Sequence, residues 1–402
     1  MRKKLTAFLG LQPSIVAVLL MAILVGMGEK MAERFLPIYL IALGGGALTI
    51  GLLNGMDNLL SALYSFPGGY LSDRLGYKRA LLIFNLVAMI GYGIVIVFPS
   101  WQAILVGAAL FLSWSAVSQP ATMSLVASVL PFEKRTMGAS MMSIVRRIPM
   151  ALGPLLGGLL ISLYGEVLGV RLAFGAALLL GLVSLVFQQL KIQEQPKVTT
   201  WTPTRLRDMG QLIPPDLRIL LTADVLVRFC EQIPYAFVVV WVVKNLGISP
   251  FQFGLLTSVE MVTAMLVYIP VAYFADRSTK KPFVVITFAF FTLFPLLLTF
   301  SRTMGALVVA FIVRGLKEFG EPARKTLILE YATSERQASS FGAYYLVRDV
   351  LVSIAAFGGA FLWLRAPSTN FLVAFGFGLA GTLFFAVKGK SEPKPGINVA
   401  GV

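Results

Sequence analysis

The sequence predicts an all-α membrane protein with twelve transmembrane helices arranged as two six-helix bundles. Hydrophobic residues make up 57% of its 402 residues and charged residues only 13%, which is unlike a soluble globular protein. Apolar runs of about 20 to 28 residues, each long enough to cross a bilayer, recur along the chain with short loops between them. The second half also repeats features of the first half. Together these observations favour a transporter-like architecture built from two repeats.

The internal repeat is visible at an offset of 203 residues, without gaps. Ile-Gly-Leu-Leu at residues 50–53 falls on Phe-Gly-Leu-Leu at residues 253–256. At the same offset Asp57 falls on Glu260, and the pair Asp73-Arg74 falls on Asp276-Arg277. We therefore expect an N-terminal bundle at 1–190, a cytoplasmic linker at 191–216, a C-terminal bundle at 217–390 and a disordered tail at 391–402.

Basic residues mark alternate loops as cytoplasmic, because Lys and Arg are retained on that side of a membrane. The expected cytoplasmic segments hold Lys78, Arg79, Lys134, Arg135, Lys191, Lys197, Arg205, Arg207, Lys280, Lys281, Arg336, Lys388 and Lys390, and the expected outer segments hold Arg171, Lys244, Arg302 and Arg365. This asymmetry predicts cytoplasmic N- and C-termini and a multi-pass protein of the cytoplasmic (inner) membrane. The net charge of +15 is therefore attributed to topology and not to nucleic-acid binding.

Twelve spans follow from the apolar runs in order, with Gly, Pro and charged residues between them. Each span begins and ends near a turn signal or a change from apolar to charged residues. The predicted spans are 13–43, 47–71, 79–98, 101–130, 137–163, 170–190, 217–246, 251–275, 282–300, 304–330, 339–364 and 370–387. An outer loop carrying Glu166 is expected between the fifth and sixth spans.

Several chemistries are excluded by what the sequence lacks. It has no histidine and one cysteine, Cys230, so His-based metal sites, Ser/His or Cys/His nucleophile pairs and intrachain disulfides are excluded. No Gly-x-x-x-x-Gly-Lys-Ser/Thr loop is present to bind ATP. We expect a protein that is not an enzyme and has no cofactor and no bound metal.

The stretch 67–79 carries the strongest motif, a Gly- and Arg-rich turn between the second and third spans. It resembles the signature loop of the major facilitator superfamily, whose pattern is Gly-x-x-x-Asp-Arg-x-Gly-x-Lys/Arg-Arg. The resemblance implies the major facilitator fold and a gating role for the matching residues and their repeat. These are Gly69, Asp73, Arg74, Gly76, Arg79, Asp276 and Arg277. Asp73 is expected near the start of the eleventh helix, around Ser339 and Ser340, because a helix N-terminus attracts an anion.

Many charges fall near the middle of predicted spans, where each would cost about 2.5–3.5 kcal/mol if it faced lipid. They must pair with one another, line a polar path, or both. They are Glu29, Lys30, Glu33, Arg34, Asp57, Arg146, Arg147, Asp224, Arg228, Glu231, Glu260, Arg314, Lys317, Glu318, Glu321, Arg348 and Asp349. Helical spacing predicts one shared face for Asp224, Arg228 and Glu231, and another for Arg314, Lys317, Glu318 and Glu321.

Substrate contacts are expected from a subset of these charges, although structural ion pairs explain any single one equally simply. The candidates are Arg34, Arg146, Arg147, Arg228, Glu231, Arg314 and Arg348. The candidates for proton coupling are carboxylates, because histidine is absent: Asp57 first, then Glu260, Glu29 and Glu33. Asp57 and Glu260 rank first because neither has a base in its own helix and the two coincide under the repeat.

Two weaker resemblances bear on direction and substrate. Gly153, Pro154, Gly157 and Gly158 form a Gly-Pro-x-x-Gly-Gly element similar to one in the superfamily's drug and metabolite exporters, where it would pack the fifth helix against the eighth. Glu29 with Glu33-Arg34 is similar to the Glu-x-x-Glu-Arg motif of proton-coupled peptide transporters, but one residue longer. The basic residue that such exporters carry in the fourth helix is missing here, where Phe111 and Trp114 stand.

The resemblance as a whole implies a secondary transporter that works by alternating access. We expect proton-driven export, by antiport, of a small amphiphilic or charged organic compound. The alternative is proton-coupled uptake, by symport, of a charged metabolite or peptide, and a lipid-handling protein or a non-transporting sensor is a third reading. The expected partners are a small-molecule substrate, protons and the lipid bilayer, with no nucleic acid, and the protein is expected to be a monomer.

Overall fold

A computed structural model of the chain describes residues 13–112, 114, 135–191, 212–275, 279–332 and 337–390. For residues 13–18, 65–73, 77, 135–144, 191, 268–269, 272–275 and 337–339 the description covers the backbone alone. Within these ranges the regular structure is helical.

The described helices of the first half follow the predicted apolar runs. They are α1 (Pro13–Glu33), α2 (Leu36–Ala42), α3 (Ala47–Leu75), α4 (Tyr77–Val97), α5 (Trp101–Phe111) and α6 (Arg135–Lys191). Ser100 caps α5 by accepting a hydrogen bond from the Ala103 N–H at 3.3 Å, as expected for a serine at a helix start.

The second half contains the remaining described helices. They are α7 (Pro215–Tyr235), α8 (Phe237–Val240), α9 (Pro250–Ala275), α10 (Lys281–Phe300), α11 (Met304–Leu316), α12 (Glu321–Tyr331), α13 (Gln337–Arg365) and α14 (Pro367–Lys388). A π-helical turn, Trp241–Asn245, follows α8.

These elements make up the twelve transmembrane helices of the predicted fold. Helices α1 and α2 form the first span, and α6 contains the fifth and sixth. Helices α7 and α8 with the π-helical turn form the seventh, and α11 and α12 the tenth. In the part of the chain that the structure describes, seven helical stretches are apolar and long enough to cross a membrane by themselves. One of them, Val145–Leu190, contains two of these spans.

The connections between two pairs of spans are tighter than predicted. Instead of a hairpin of several residues around 67–79, α3 continues to Leu75 and Gly76 alone separates it from α4. Instead of an outer loop carrying Glu166, α6 is interrupted at Gly165. Gly76 has φ 83° and Gly165 has φ 80°, in the left-handed region that glycine adopts without steric cost. One glycine therefore replaces a loop at each turn.

Three predicted helices are broken. The first is interrupted at Arg34 and Phe35, the seventh at Ala236 and the tenth at residues 317–320. Pro37 and Pro322 lie in the first turns of α2 and α12, where the missing N–H of proline has no helical partner to lose. The sequence predicted one shared helix face for Arg314, Lys317, Glu318 and Glu321. This prediction is wrong, because α11 ends at Leu316 and α12 begins at Glu321.

Contacts divide the chain into two compact units. The first unit is Met1–Thr200 with Ala236–Met261, and the second is Trp201–Tyr235 with Val262–Val402. The sequence-based boundaries, which place the whole seventh and eighth helices in a C-terminal bundle, stay a prediction.

The first unit is held together by very close packing of α1 against α6. A Cβ at Gly157 would overlap the carbonyl of Met31, so the two helix backbones are nearly in contact there. A buried polar chain ties α4 to α6, because Trp114 donates to Asn85 at 2.7 Å and Asn85 donates to Gln188 at 2.8 Å.

The second unit has an aromatic and aliphatic core centred on α7. Leu217, Phe288, Tyr344 and Phe385 are fully buried in it, and the Phe288 and Phe385 rings meet edge to face at 5.6 Å. This core fixes the positions of the charged side chains that α7, α12 and α13 also bring inside.

We expect Gly157→Ala to destabilise the protein by about 1–3 kcal/mol, because the added methyl group forces α1 and α6 apart. Gly93→Ala in α4 is the matched control, since a Cβ there meets nothing within 4 Å. The control is expected to be neutral or stabilising by up to about 1 kcal/mol, because alanine loses less backbone entropy in a helix. Thermal unfolding of the purified variants measures both effects. Equal melting temperatures for the two would contradict the packing explanation.

Candidate functional site

Within the first unit, α1 and α3 assemble a group of acidic side chains around one lysine. Lys30 Nζ lies 3.1 Å from Glu29 Oε1 and also pairs with Glu33 Oε2 one turn further along α1. Asp57 of α3 interacts electrostatically with the same three side chains. We call Glu29, Lys30, Glu33 and Asp57 the acidic cluster. Glu29 is buried, and the other three are partly buried.

Cationic residues from neighbouring segments surround the acidic cluster. Arg34, at the break between α1 and α2, interacts electrostatically with Asp57, and Arg146 of α6 interacts with Glu29. Arg147 is partly buried beside Arg146. Glu260 of α9 is completely buried in the same unit. Asp57, Glu29 and Glu33 thus lie within electrostatic range of one another. Arg34 interacts with Asp57, and Arg146 interacts with Glu29.

In the second unit, α7 presents Asp224, Arg228 and Glu231 on one face, and all three belong to a single ion-pair network. Arg228 donates to Glu231 at 2.6 Å and lies 3.8 Å from Asp224. It also approaches Glu321 of α12 at 3.9 Å. The i, i+4, i+7 spacing of the sequence therefore predicted a real common face.

Arg324 is the centre of this network. Its guanidinium donates two hydrogen bonds to Glu321, at 2.9 and 2.6 Å, and a third to Asp224. Arg324 and Asp224 are each 1% exposed, so neither charge has access to water. A paired arrangement with good hydrogen-bond geometry is what makes such burial tolerable.

Helix α13 joins the same network through two side chains. Tyr344 donates to Asp224 at 2.8 Å, and Arg348 Nη1 lies 3.6 Å from Asp224. Arg348 also donates to its neighbour Asp349 at 2.7 Å. The buried charges on α7 and α12 are thereby connected to α13, and Arg348 is a structural partner of Asp224.

A small cleft opens at the other end of the network. It is lined by Glu231, Phe290, Phe291, Phe294, Arg314 and Lys317. Lys317 Nζ donates to Glu231 at 2.8 Å. The Arg314 guanidinium lies over the Phe294 ring at 4.8 Å, and Lys317 lies 5.6 Å from the Phe291 ring centre. The lining therefore combines charged side chains with aromatic rings.

The break between α11 and α12 allows Lys317 and Glu321 to serve different partners. Helix α11 ends at Leu316, and the Gly320 N–H donates to Thr287 of α10, which fixes the turn. A Cβ at Gly320 would overlap the carbonyl of Phe283, so α10 packs directly on this turn. Lys317 thus reaches Glu231 at the cleft, whereas Glu321 reaches Arg324 in the network.

Most of the predicted gating set lies outside the described side chains. The side chains at 69 and 73 and the whole of Asp276 and Arg277 are outside the described residues, as is the side chain at 339. Arg74 and Arg79 are exposed on either side of Gly76. The expected proximity of Asp73 to the start of the eleventh helix therefore stays a prediction.

The predicted helix-packing residues all lie at close contacts within the first unit. Gly153 faces Lys30 and Met31 of α1, and Gly157 faces Met31. A Cβ at Gly158 would overlap the backbone of Pro250, and one at Gly254 would overlap the carbonyl of Pro154. The fifth span is therefore packed tightly against the start of α9, with Ser258 Oγ donating to the Ala151 carbonyl at 2.6 Å.

Several site residues were missed from the sequence. Lys30 and Lys317 were recognised as intramembrane charges but not as site residues. Arg324 is not among the residues predicted from the sequence, although its i+3 spacing from Glu321 is a usable signal. Nothing in the sequence distinguished Phe290, Phe291 and Phe294 from other phenylalanines of the core.

A helical membrane protein of twelve spans with charged side chains buried in each of its two units has the architecture of a secondary transporter. The sequence profile of the Major Facilitator Superfamily matches residues 18–226 and again residues 220–401. The chain therefore belongs to the Major Facilitator Superfamily, a family of transporters and not of enzymes.

Two relatives are transporters of the same type. Over 140 residues the chain is 29% identical to an uncharacterized MFS-type transporter of Mycobacterium tuberculosis, covering 35% of this chain and 33% of the relative. The chain thus spans about a third of the length of the mycobacterial relatives it matches. It is 19% identical over 360 residues to an uncharacterized MFS-type transporter of Methanocaldococcus jannaschii, covering 86% and 87%.

Solved transporter structures share the fold. A nucleoside transporter superposes with a TM-score of 0.79 at 13% identity, over 92% of this chain and 99% of that one. A peptide transporter superposes with a TM-score of 0.75 at 15% identity, over 93% of each chain. At these identities the likeness shows the fold alone.

We expect Arg324→Met to destabilise the protein by about 3–5 kcal/mol, because it removes the cation that hydrogen-bonds to both buried carboxylates and leaves Asp224 and Glu321 only longer ion pairs of 3.6–3.9 Å. Arg365→Met is the matched control, since Arg365 is an exposed arginine at the end of α13, away from the residues of this network. Adding Asp224→Asn and Glu321→Gln to Arg324→Met should restore part of the loss by removing both anions. Thermal unfolding in detergent measures the series. A triple variant less stable than Arg324→Met would contradict this electrostatic explanation.

Proposed function

We propose that this transporter works by alternating access and exports a small amphiphilic or charged organic compound in exchange for protons. The acidic cluster is the observation that carries the proposal. It pairs Glu29 and Glu33 with Lys30 inside the membrane-spanning part of the first unit, with Asp57 of α3 within electrostatic range of all three.

Protons are the proposed coupling ion because the cluster can change its charge by binding one. The chain has no histidine, so a carboxylate must carry the proton. Asp57 is the proposed carrier, with Glu29 and Glu33 as the partners that Lys30 already binds. Protonating Asp57 would change the electrostatic potential at Lys30, in the last turn of α1, and at Arg34, at the break between α1 and α2. Glu260 stays a second proposed carrier in the same unit.

Substrate contacts are proposed separately within each unit. In the first unit the proposed contacts are Arg34, Arg146 and Arg147. In the second unit they are Glu231 and Arg314, which line the cleft. Arg228 and Arg348 are proposed to support the site from the ion-pair network, where they hold Glu231 and Asp224.

The remaining expectations complete the proposal. The protein is proposed to act as a monomer in the cytoplasmic membrane, with both termini in the cytoplasm, as the basic loops indicate. Asp73 and Asp276, with their neighbouring arginines, are proposed as the cytoplasmic gate.

Proton-coupled uptake of a charged metabolite or peptide is the second candidate function. The cleft favours it in one respect, since its lining presents both signs of charge, as a zwitterionic substrate requires. The solved peptide transporters are consistent with this candidate, but they share only the fold with this chain. Antiport and symport move protons in opposite directions relative to the substrate, so one assay separates them.

The test uses proteoliposomes that contain a pH-sensitive dye, with a substrate first selected from a compound library by its effect on thermal stability. When the substrate is added outside, antiport raises the internal pH, whereas symport lowers it. We expect the internal pH to rise. Asp57→Asn should abolish this change while leaving exchange of labelled for unlabelled substrate intact, because that exchange needs no net proton movement.

The matched control is Glu166→Gln, which removes a carboxylate paired with Lys244 at 2.5 Å and outside the acidic cluster. It should behave as the unmodified protein does. A fall in internal pH would contradict antiport and support symport instead. Unchanged proton movement in both Asp57→Asn and Glu260→Gln would reject the proposed carriers.

A further inference from the structure

We propose that a reciprocal pair of hydrogen bonds holds the beginning of α4 against the end of α6, and that this contact positions the turn of the proposed cytoplasmic gate. Gln188 Nε2 donates to the Lys78 carbonyl at 2.7 Å, and Lys78 Nζ donates to the Gln189 carbonyl at 2.7 Å. We call these two hydrogen bonds the helix-end contact. Both lie within the first unit. The inference rests on the proposed function, because it assigns positioning residues to the gate that contains Asp73.

The Lys78 half of the helix-end contact satisfies a carbonyl at a helix end. Helix α6 ends at Lys191, so the Gln189 carbonyl is one of the last four of that helix, which have no N–H partner within it. The negative end of the helix dipole lies there as well, and a cation stabilises it. Lys78 stands at the Lys/Arg position of the signature motif. Its side chain is nevertheless directed to a helix of its own unit.

The Gln188 half of the helix-end contact is buried and hydrogen-bonded at both ends of its amide. Gln188 has no exposed surface, and its Oε1 accepts a hydrogen bond from Asn85 Nδ2 at 2.8 Å. Asn85 Oδ1 in turn accepts a hydrogen bond from Trp114 Nε1 at 2.7 Å. This chain fixes the orientation of each amide, because turning one of them would leave buried polar groups without a partner. Gln188 is therefore held with its NH₂ group at the Lys78 carbonyl.

The helix-end contact lies beside a turn that has no loop to absorb a displacement. Gly76 alone joins α3 to α4, with φ 83° and ψ 157°, and Lys78 is the second residue after it. Asp73 and Arg74 belong to the last turn of α3, immediately before this glycine. Because the connection is so short, the position of the first turn of α4 determines where the last turn of α3 lies. Holding Lys78 to α6 therefore also holds the backbone that carries Asp73.

A positioned backbone matters most in one state of the proposed gate. Asp73 is proposed to make its gating contact when the cytoplasmic side is closed, so only the closed state depends on where the end of α3 lies. Loss of the helix-end contact lets that end occupy more positions and thus destabilises the closed state relative to the open state. The ratio of open to closed molecules should then rise. A contact that served stability alone would leave this ratio unchanged.

The test measures the open-to-closed ratio by double electron–electron resonance on the full-length protein in nanodiscs. Nitroxides are attached at Val186→Cys near the end of α6 and at Val387→Cys near the end of α14, where the native side chains are exposed. The native Cys230 is completely buried and does not compete for the label. We expect Gln188→Met and Lys78→Met each to raise the ratio about three- to tenfold, the effect of one lost hydrogen bond.

Two further variants separate positioning from general stability. Lys78→Arg should keep the ratio of the unmodified protein, because arginine retains a donor for the Gln189 carbonyl. Asn370→Leu is the matched control, because the buried Asn370 amide donates to backbone carbonyls of α7 and α13 in the second unit. It should lower the melting temperature about as much as Gln188→Met does and leave the ratio unchanged. Equal ratios in Gln188→Met, Lys78→Met and the unmodified protein would overturn the proposal.

Asp73→Asn distinguishes failure of this inference from failure of the proposed gate. If Asp73→Asn raises the ratio, Gln188→Met added to it should cause no further rise, because both changes act through the same gating contact. An additive rise would overturn the positioning role while the gate stands. If Asp73→Asn leaves the ratio unchanged and Lys78→Met still raises it, Asp73 is not the gating group and the helix-end contact still controls the turn. The Lys78 variants decide the question if Gln188→Met does not fold.

Discussion

The need to neutralise charge inside a hydrocarbon layer governs the second unit. Asp224 and Arg324 are almost completely inaccessible, and neither could remain charged there alone. Asp224 therefore depends on Arg324, and Arg324 depends on Asp224 and on Glu321, which accepts two hydrogen bonds from one edge of its guanidinium. Because these residues come from α7 and α12, the electrostatic requirement also sets how the two helices pack. Tyr344 extends the same requirement to α13.

The network changes character along its length. At Asp224 it is closed, because the side chain is almost completely buried and accepts hydrogen bonds from Arg324 and Tyr344. At Glu231 and Lys317 it reaches a small cleft that phenylalanine rings also line. The ion pairs around Asp224 thus hold helices together. The ion pair of Glu231 and Lys317, which belongs to the same network, borders the cleft. The first unit uses charge differently, placing several carboxylates around Lys30 beside a helix break.

Interruptions in the helices give these charges their directions. A continuous tenth helix would place Lys317 and Glu321 one turn apart on one face. The break at residues 317–320 instead allows Lys317 to meet Glu231 and Glu321 to meet Arg324. The break itself is stabilised from outside, because Thr287 of α10 accepts the Gly320 N–H. Close packing also holds the break in place, because a Cβ at Gly320 would overlap the carbonyl of Phe283 of α10.

The sequence by itself determined the membrane class, the number of spans, the repeat and the set of charges that lie inside the spans. These follow from local properties, since hydropathy and helical spacing are read within one segment. It also placed Asp224, Arg228 and Glu231 on one face. Only the tertiary structure decided that Arg324 is the centre of the network, that the tenth helix breaks, and that three phenylalanines border the cleft. Those outcomes depend on residues far apart in the chain, such as Asp224 and Arg324, whose pairing is selected by the packing of whole helices and leaves no trace in either segment alone.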